Sequence, residues 1–254
     1  MRTVLHKTST CADDDRKEVL LHRSVICTIM SEAKRAAGCR AADMIQDSMV
    51  IGIGTGSTVY YMMERLAQRI SEGLTIRGIP TSLQTEMRAR ELGIPLCSLA
   101  DVSEIDIAID GADQVDPHKW LIKGRGAAHV RERVIAACAK VFLVIVDSSK
   151  CVEKLDGPIP IEVTPFAVSY VMAELAKQGT ILVREGVKKD GPVISDNGNV
   201  ILDYFVGIIS DPRALQQYLN NIAGVVGCGL MTEFSNKIVV IEGGSNRIST
   251  KREI

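Results

Sequence analysis

Short apolar runs alternate along this chain with segments of helical periodicity, and each run ends in a polar or glycine-rich loop. Met49–Ile53 leads into Gly54-Thr55-Gly56-Ser57-Thr58, after which Val59, Met63, Leu66 and Ile70 recur at helical spacing. Thr75–Ile79 ends in Pro80-Thr81-Ser82, and a helical segment over 81–92 follows, stopped by Gly93. Ile105, Ile107 and Ile109 precede Asp110-Gly111-Ala112-Asp113. Trp120–Ile122 precedes Lys123-Gly124-Arg125-Gly126, and Val141–Val146 precedes Asp147-Ser148-Ser149-Lys150. Strands separated by helices predict βαβ units and a largely parallel α/β sheet. Ligands of such sheets bind beyond the carboxyl ends of the strands, so these loops are predicted to converge on one crevice.

The pattern changes at Pro158 and Pro160. Ile159–Val163 reads as a strand. Thr164-Pro165 reads as an N-cap with proline in the first turn of a helix that reaches Gly179. Thr180–Arg184 and Val200–Phe205 read as strands, with Asp196–Asn199 as the turn before the second. Asp211-Pro212 starts a helix ending near Asn220. This β-α-β-β-α order predicts a second, smaller α+β domain over 157–231. Gly224–Gly229 returns the chain, and Lys237–Ile241 is a late strand rejoining the first domain, taken as 29–156 plus 232–254. At the other end, a helix is predicted from about Thr28 to Met44, interrupted by Gly38, and residues 1–28 read as an N-terminal extension.

Composition removes several classes of function. The formal net charge of -1 gives no electrostatic case for nucleic-acid binding, and no apolar run reaches membrane-spanning length. The N-terminus lacks a continuous apolar core and carries Asp13-Asp14-Asp15, against a signal or transit peptide. The 7 cysteines are scattered without a C-x-x-C pair, which reads as reduced, mostly buried thiols of a cytoplasmic protein. The 4 histidines show no metal-ligand spacing, so no metal site is expected.

The turn at 54–58 joins a strand to a helix, and its free N–H groups lie at the positive end of that helix, a cradle for an anion. The third glycine of a dinucleotide fingerprint is missing at 57, and no Gly-Lys-Ser/Thr of a Walker loop follows. A second glycine-rich turn, Gly124–Gly126, opens a helix carrying Glu132, an arrangement suited to proton transfer on a small anion. From spacing alone Glu132 reads equally well as a surface residue paired with Arg131, Arg133 or Lys140.

Asp110-Gly111-Ala112-Asp113-Gln114-Val115, the segment from Leu121 to Val134, and Asp147–Lys150 resemble type A ribose-5-phosphate isomerases. So do Gly52–Thr58, Pro80–Thr85, Ile159–Val163, Ser195–Asp203 and Gly224–Leu230, in order. The resemblance implies a doubly wound, Rossmann-like domain with a smaller α+β domain, a homodimer or homotetramer, no cofactor and no metal. It implies interconversion of ribose 5-phosphate and ribulose 5-phosphate in the pentose phosphate pathway. By position it places the general base on Glu132, further active-site groups on Asp110, Asp113 and Lys123, and substrate contacts on Lys34, Gly54, Thr55, Gly56, Ser57, Thr58, Gly124, Gly126 and Lys150. A carboxylate suits a proton shuttle between neighbouring carbons, and Lys123 with the Gly124–Gly126 amides suits the anion that forms.

Three residues depart from the family pattern: Gln114 and Ser148 stand where glutamate is usual, and Arg125 where glycine is usual. Arg125 is expected to need an unfavourable backbone angle and to reach either the substrate or solvent. These departures keep an isomerase for a different sugar phosphate as an alternative. A non-catalytic sugar-phosphate-binding protein and an acyl transferase using Glu132 as nucleophile are further alternatives, disfavoured because the chain has no room for a DNA-reading module or an extended second half. His129 is expected in packing, His118 in an exposed loop, and Tyr60, Tyr61, Met62 and Met63 in the helix core.

Overall fold

The computed structural model describes residues 31–244 and 248–249, and the proposed extension over 1–28 lies outside them. In chain order the strands are β1 Val50–Ile53, β2 Arg77–Pro80, β3 Ile105–Asp110, β4 Gln114–Val115, β5 Leu121–Ile122, β6 Ala139–Asp147, β7 Ile159–Val163, β8 Thr180–Val183, β9 Val200–Phe205, β10 Val225–Cys228, β11 Leu230–Met231, β12 Ile238–Gly243 and β13 Ile248–Ser249. The helices are α1 over 31–43, α2 Ser57–Ser71, α3 Leu83–Glu91, α4 His129–Cys138, α5 Val168–Leu175 and α6 Pro212–Asn220.

The main sheet has the order β13-β12-β6-β3-β1-β2. Every pairing in it is parallel except that of β12 with β13. Ile51, Ile53, Ile107, Ile109, Leu143 and Ile145 turn one face toward α1, α2 and α3. Val50, Ile105, Ala108, Phe142 and Val144 turn the other toward Ile135 and Ala136 of α4. Burial on both faces is why these strands read as apolar runs. The chain runs outward from β1 to β2 and then returns to β3 on the other side of β1. The β1/β3 boundary is therefore the topological switch point, where the carboxyl ends of neighbouring strands open a crevice.

Gly38 sets how α1 meets this layer. A Cβ there would lie 2.7 Å from Met62 N and 2.8 Å from Thr58 O, so only glycine permits so close an approach of α1 to α2. One turn earlier on α1, Lys34 is thereby held beside the N-terminal end of α2.

The order β10-β7-β9-β8 forms a second, antiparallel sheet, whose core of Ile161, Val163, Leu202 and Tyr204 packs with Val171 and Leu175 of α5 and Leu219 of α6. A third sheet, β11-β5-β4, corrects the sequence reading: Leu121–Ile122 is not a strand of the parallel sheet but pairs antiparallel with both neighbours. With only two residues in the strand, periodicity could not distinguish the two arrangements. The second strand starts at Arg77, not Thr75. After β7, Pro165–Ala167 forms a 3-10 turn and the α-helix ends at Leu175 rather than Gly179. The Thr164 side chain does not cap it but donates to Gly224 O at 3.4 Å.

Other expectations resolve by packing. Met62 and Met63 are core, whereas Tyr60 and Tyr61 are only half-buried under Arg88 and Arg35. Among the described cysteines only Cys228 is buried, and Cys138 and Cys151 are exposed, because Cys138 falls on the outer side of α4. Among the described residues no helix is long and apolar enough to cross a membrane.

Candidate active site

Asp110 ends β3, and each of its oxygens has a different task. Oδ1 accepts from Thr55 N at 3.1 Å and Gly111 N at 2.7 Å. Oδ2 lies 3.0 Å from Lys123 Nζ. Gly54 makes this possible, since a Cβ there would sit 2.1 Å from Asp110 Oδ1. Lys123 follows β5, pinned by its own N–H to Gly229 O at 2.9 Å. Its ammonium also donates to Gly111 O and lies 3.2 Å from Glu132 Oε2.

Glu132 is in the first turn of α4. It shares the buried face of α4 with His129, Ile135 and Ala136, and only 5% of it is exposed. Its surface alternatives have other partners: Arg131 lies against Asp196, Arg133 against Glu233, and Lys140 against Glu104 and Asp106.

One ammonium thus faces two buried carboxyl groups. Neither Asp110 Oδ2 nor Glu132 Oε2 has a hydrogen-bond partner among the described residues, so the ion pair with Lys123 is what offsets their burial. Burial, and then the Asp110 charge, push the Glu132 carboxyl up to about 8. Burial raises Asp110 as well. Asp110, however, accepts two backbone N–H bonds that favour its ionised form, so Glu132 is the member that takes up the proton. Burial works against the Lys123 cation, but the Asp110 and Glu132 charges outweigh it and hold its pKa above the usual lysine value.

The cluster lies at one side of a cavity of about 520 Å³. Lys34, Thr55, Gly56, Ser57, Thr58, Asp113, Lys123, Gly124, Arg125, Gly126, Glu132 and Lys150 all line it, as the sequence grouped them. Gly54 and Asp110 stand behind its wall. The Thr55 hydroxyl is also turned away, 3.0 Å from Thr81 Oγ1, 2.8 Å from Ser82 Oγ and 3.2 Å from Thr85 Oγ1, tying the β1 and β2 loops together. Gly56 occupies the N-cap of α2 with φ 129, and no side chain caps the helix. The first amides of α2 therefore face the cavity, with Lys34 and Lys150 also on its wall, a geometry suited to a phosphate.

Arg125 is exposed, and its backbone is not among the positive-φ residues; the left-handed angles of this loop fall on Gly124, φ 106, and Ala127, φ 59. The expected strain at Arg125 is therefore absent. Gln114 also has a local task. Its Oε1 accepts from Asp156 N at 2.9 Å and Gly157 N at 3.0 Å, and its Nε2 donates to Asp156 at 2.7 Å. Ser148 begins a short 3-10 turn after β6. His129 is fully buried, with Nε2 3.1 Å from Gly227 O, and burial lowers its pKa to about 4, away from any base role near neutrality. His118 is exposed beside Trp120.

Sequence reasoning missed Asp147. It ends β6 and lines the cavity, and its Oδ1 accepts from Ser149 N at 3.0 Å while its buried Oδ2 has no partner among the described residues. Its place at the end of a strand, matching that of Asp110 on β3, was the available signal. A larger cavity of about 840 Å³ opens beside Val130 and Val134 of α4. It contains none of the carboxylate–lysine cluster, so the candidate site is assigned by chemistry and not by size. Among the described residues no group of three or more His, Cys, Asp or Glu is placed to hold a metal ion.

A doubly wound sheet with an anion cradle at its switch point, facing a buried ammonium–carboxylate cluster, defines an α/β enzyme with a pocket for a small anion. Residues 77–245 match the model of the ribose 5-phosphate isomerase A (phosphoriboisomerase A) family. A ribose-5-phosphate isomerase A of Methanoregula boonei is 50% identical over 221 residues, 87% of this chain and 93% of that protein. Another, from Thermosynechococcus vestitus, is 48% identical over 84% of this chain and 92% of its own length. The solved ribose 5-phosphate isomerase A of Methanocaldococcus jannaschii superposes with a TM-score of 0.80 at 41% identity, covering 87% of this chain and 98% of that one. A D-ribose-5-phosphate isomerase solved in complex with phospho-erythronic acid gives a TM-score of 0.80 at 43% identity over 84% of this chain and 95% of that one. The chain belongs to the ribose 5-phosphate isomerase A family and is an isomerase.

Proposed function

We propose that this enzyme interconverts D-ribose 5-phosphate and D-ribulose 5-phosphate through an enediolate, with Glu132 as the general base. The observation that carries the reading is a single ammonium held between two buried carboxyl groups beside an uncapped helix N-terminus. The phosphate is taken by the Gly56–Thr58 amides with Lys34 and Lys150, and the sugar chain extends toward Glu132. Asp113 lines the cavity and serves the hydroxyl protons during ring opening. Asp110, behind the wall, holds Lys123 in place. Glu132 removes the proton beside the carbonyl, and Lys123 with the loop amides steadies the negative charge on oxygen. The same carboxyl returns the proton to the neighbouring carbon. A base whose pKa is raised toward the working pH is matched to that shuttle.

The experiment follows ketose absorbance from ribose 5-phosphate with EDTA present, and repeats the reaction in D2O. Activity that survives chelation, deuterium at the exchanging carbon and a loss of about 10³-fold or more in Glu132→Gln are expected. An active Glu132→Gln refutes the reading. Arg125 and Ser148 motivate an alternative sugar. Turnover of four-, five- and six-carbon aldose phosphates by the parent and by Arg125→Gly tests this, and an unchanged preference removes the motive. The same proposal takes 29–156 with 232–254 as the catalytic unit, 157–231 as a smaller α+β unit, and a homodimer or homotetramer as the assembly, to be measured by light scattering.

A further inference from the structure

The loop that cradles the developing anion is held from the second sheet. Arg184 follows β8 directly, and its Nη1 donates to Gly124 O at 2.8 Å and to Arg125 O at 3.0 Å. The rest of its guanidinium grips Asp203 of β9, with Nε 2.8 Å from Oδ2 and Nη2 bonded to Oδ1. Both side chains are largely buried, 17% and 19% exposed. The planar fork of Arg184 is thus fixed on one side by a bidentate carboxylate and spends its Nη1 N–H groups on two consecutive carbonyls of the Gly124–Gly126 loop.

A trans peptide is planar, with its N–H directed opposite to its C=O. Pinning Gly124 O, by Arg184 and by the Ala127 N–H of its own turn at 2.9 Å, sends Arg125 N–H the other way, where it meets Asp113 Oδ2 at 2.9 Å. By the same geometry, pinning Arg125 O sends Gly126 N–H away from Arg184. Gly126 lines the cavity across from Thr55, and its N–H has no hydrogen-bond partner among the described residues.

We propose that Arg184, anchored by Asp203, is a positioning residue for the isomerisation: it sets the two peptide planes that aim the Gly126 N–H at the substrate oxygen and hold Asp113. The inference rests on the reading of Gly124–Gly126 as the anion cradle. It makes the second sheet part of the catalytic machinery, although none of its own strands lines the cavity.

A merely structural staple would lower thermal stability and leave rate constants at 25 °C alone. Mis-aimed donors instead act on the step in which charge develops. In Arg184→Met, kcat is expected to fall about 10- to 100-fold while KM for ribose 5-phosphate moves less than about threefold. In Arg184→Ala, millimolar guanidinium is expected to restore part of kcat. Arg184→Lys, which keeps one donor, is expected between Arg184→Met and the parent, and takes the place of Arg184→Met if that variant does not fold. A folded variant whose kcat stays within threefold of the parent overturns the proposal, as does a loss confined to KM. Glu132→Gln is assayed alongside. If it is active, the general-base reading fails; if it is impaired while the Arg184 variants are not, only the positioning role fails.

Discussion

Replacing Glu132 by glutamine removes the proposed base and, at alkaline pH, is expected to stabilise the fold. The native state favours the neutral carboxyl, whose pKa is displaced from 4.5 to about 8, first by burial and then by Asp110. Between those values the native protein holds a proton that the unfolded chain has released, so parent stability falls as pH rises through that window. At about 1.4 kcal/mol per pH unit the whole displacement corresponds to roughly 5 kcal/mol. Sharing of the proton with Asp110 reduces the observable difference to roughly 2–4 kcal/mol. Glutamine resembles the protonated acid, so the two proteins should melt together near pH 5. Near pH 9 the variant should melt higher by about 5–15 °C, since each kcal/mol moves a chain of this size by about 2–4 °C. Thermal melts at pH 5, 7 and 9, read against kcat for both proteins, test this. A melting difference independent of pH, or a variant less stable at pH 9, refutes the reasoning that burial displaces this carboxyl.

If Glu132 is the base as proposed, kcat/KM should rise with pH along a limb whose midpoint lies near 8, because the free enzyme must first lose the Glu132 proton. A profile flat from pH 6 to 9 contradicts this. Gly54→Ala should push Asp110 from its place, as the new Cβ would meet the carboxylate at 2.1 Å. A cost of about 1–3 kcal/mol is expected in urea denaturation, together with a loss of about 100-fold in kcat as Lys123 loses its partner; a fully active variant would show that Asp110 does not hold Lys123.

Much of the site could be read from the chain because its residues cluster at strand ends. Asp110–Asp113 and Gly54–Thr58 follow strands of the parallel sheet, which delivers such ends to one edge, whereas Lys123–Gly126 follows an apolar run that belongs to the separate β11-β5-β4 sheet. The exposed or inward choice at each position was not legible. Gly54 and the Thr55 hydroxyl turn away from the cavity because Asp110 and the Thr81, Ser82 and Thr85 hydroxyls claim them. Glu132 could have been separated from its surface alternatives by helical phase, since it falls on the same face as Ile135 and Ala136. Arg184 could not have been found this way: it meets Gly124 across 60 positions of sequence, and no local pattern marks a partner that distant.

Local chemistry alone determined where strands, helices and glycine turns fall and which polar groups stand at their ends, because propensity, periodicity and capping act over a few neighbours. The assembled fold decided the strand order, the detachment of Leu121–Ile122 into its own sheet, and the burial that lifts the Glu132 carboxyl. Those depend on which distant surfaces exclude water together, and desolvation is a property of the packed whole, not of any residue in it.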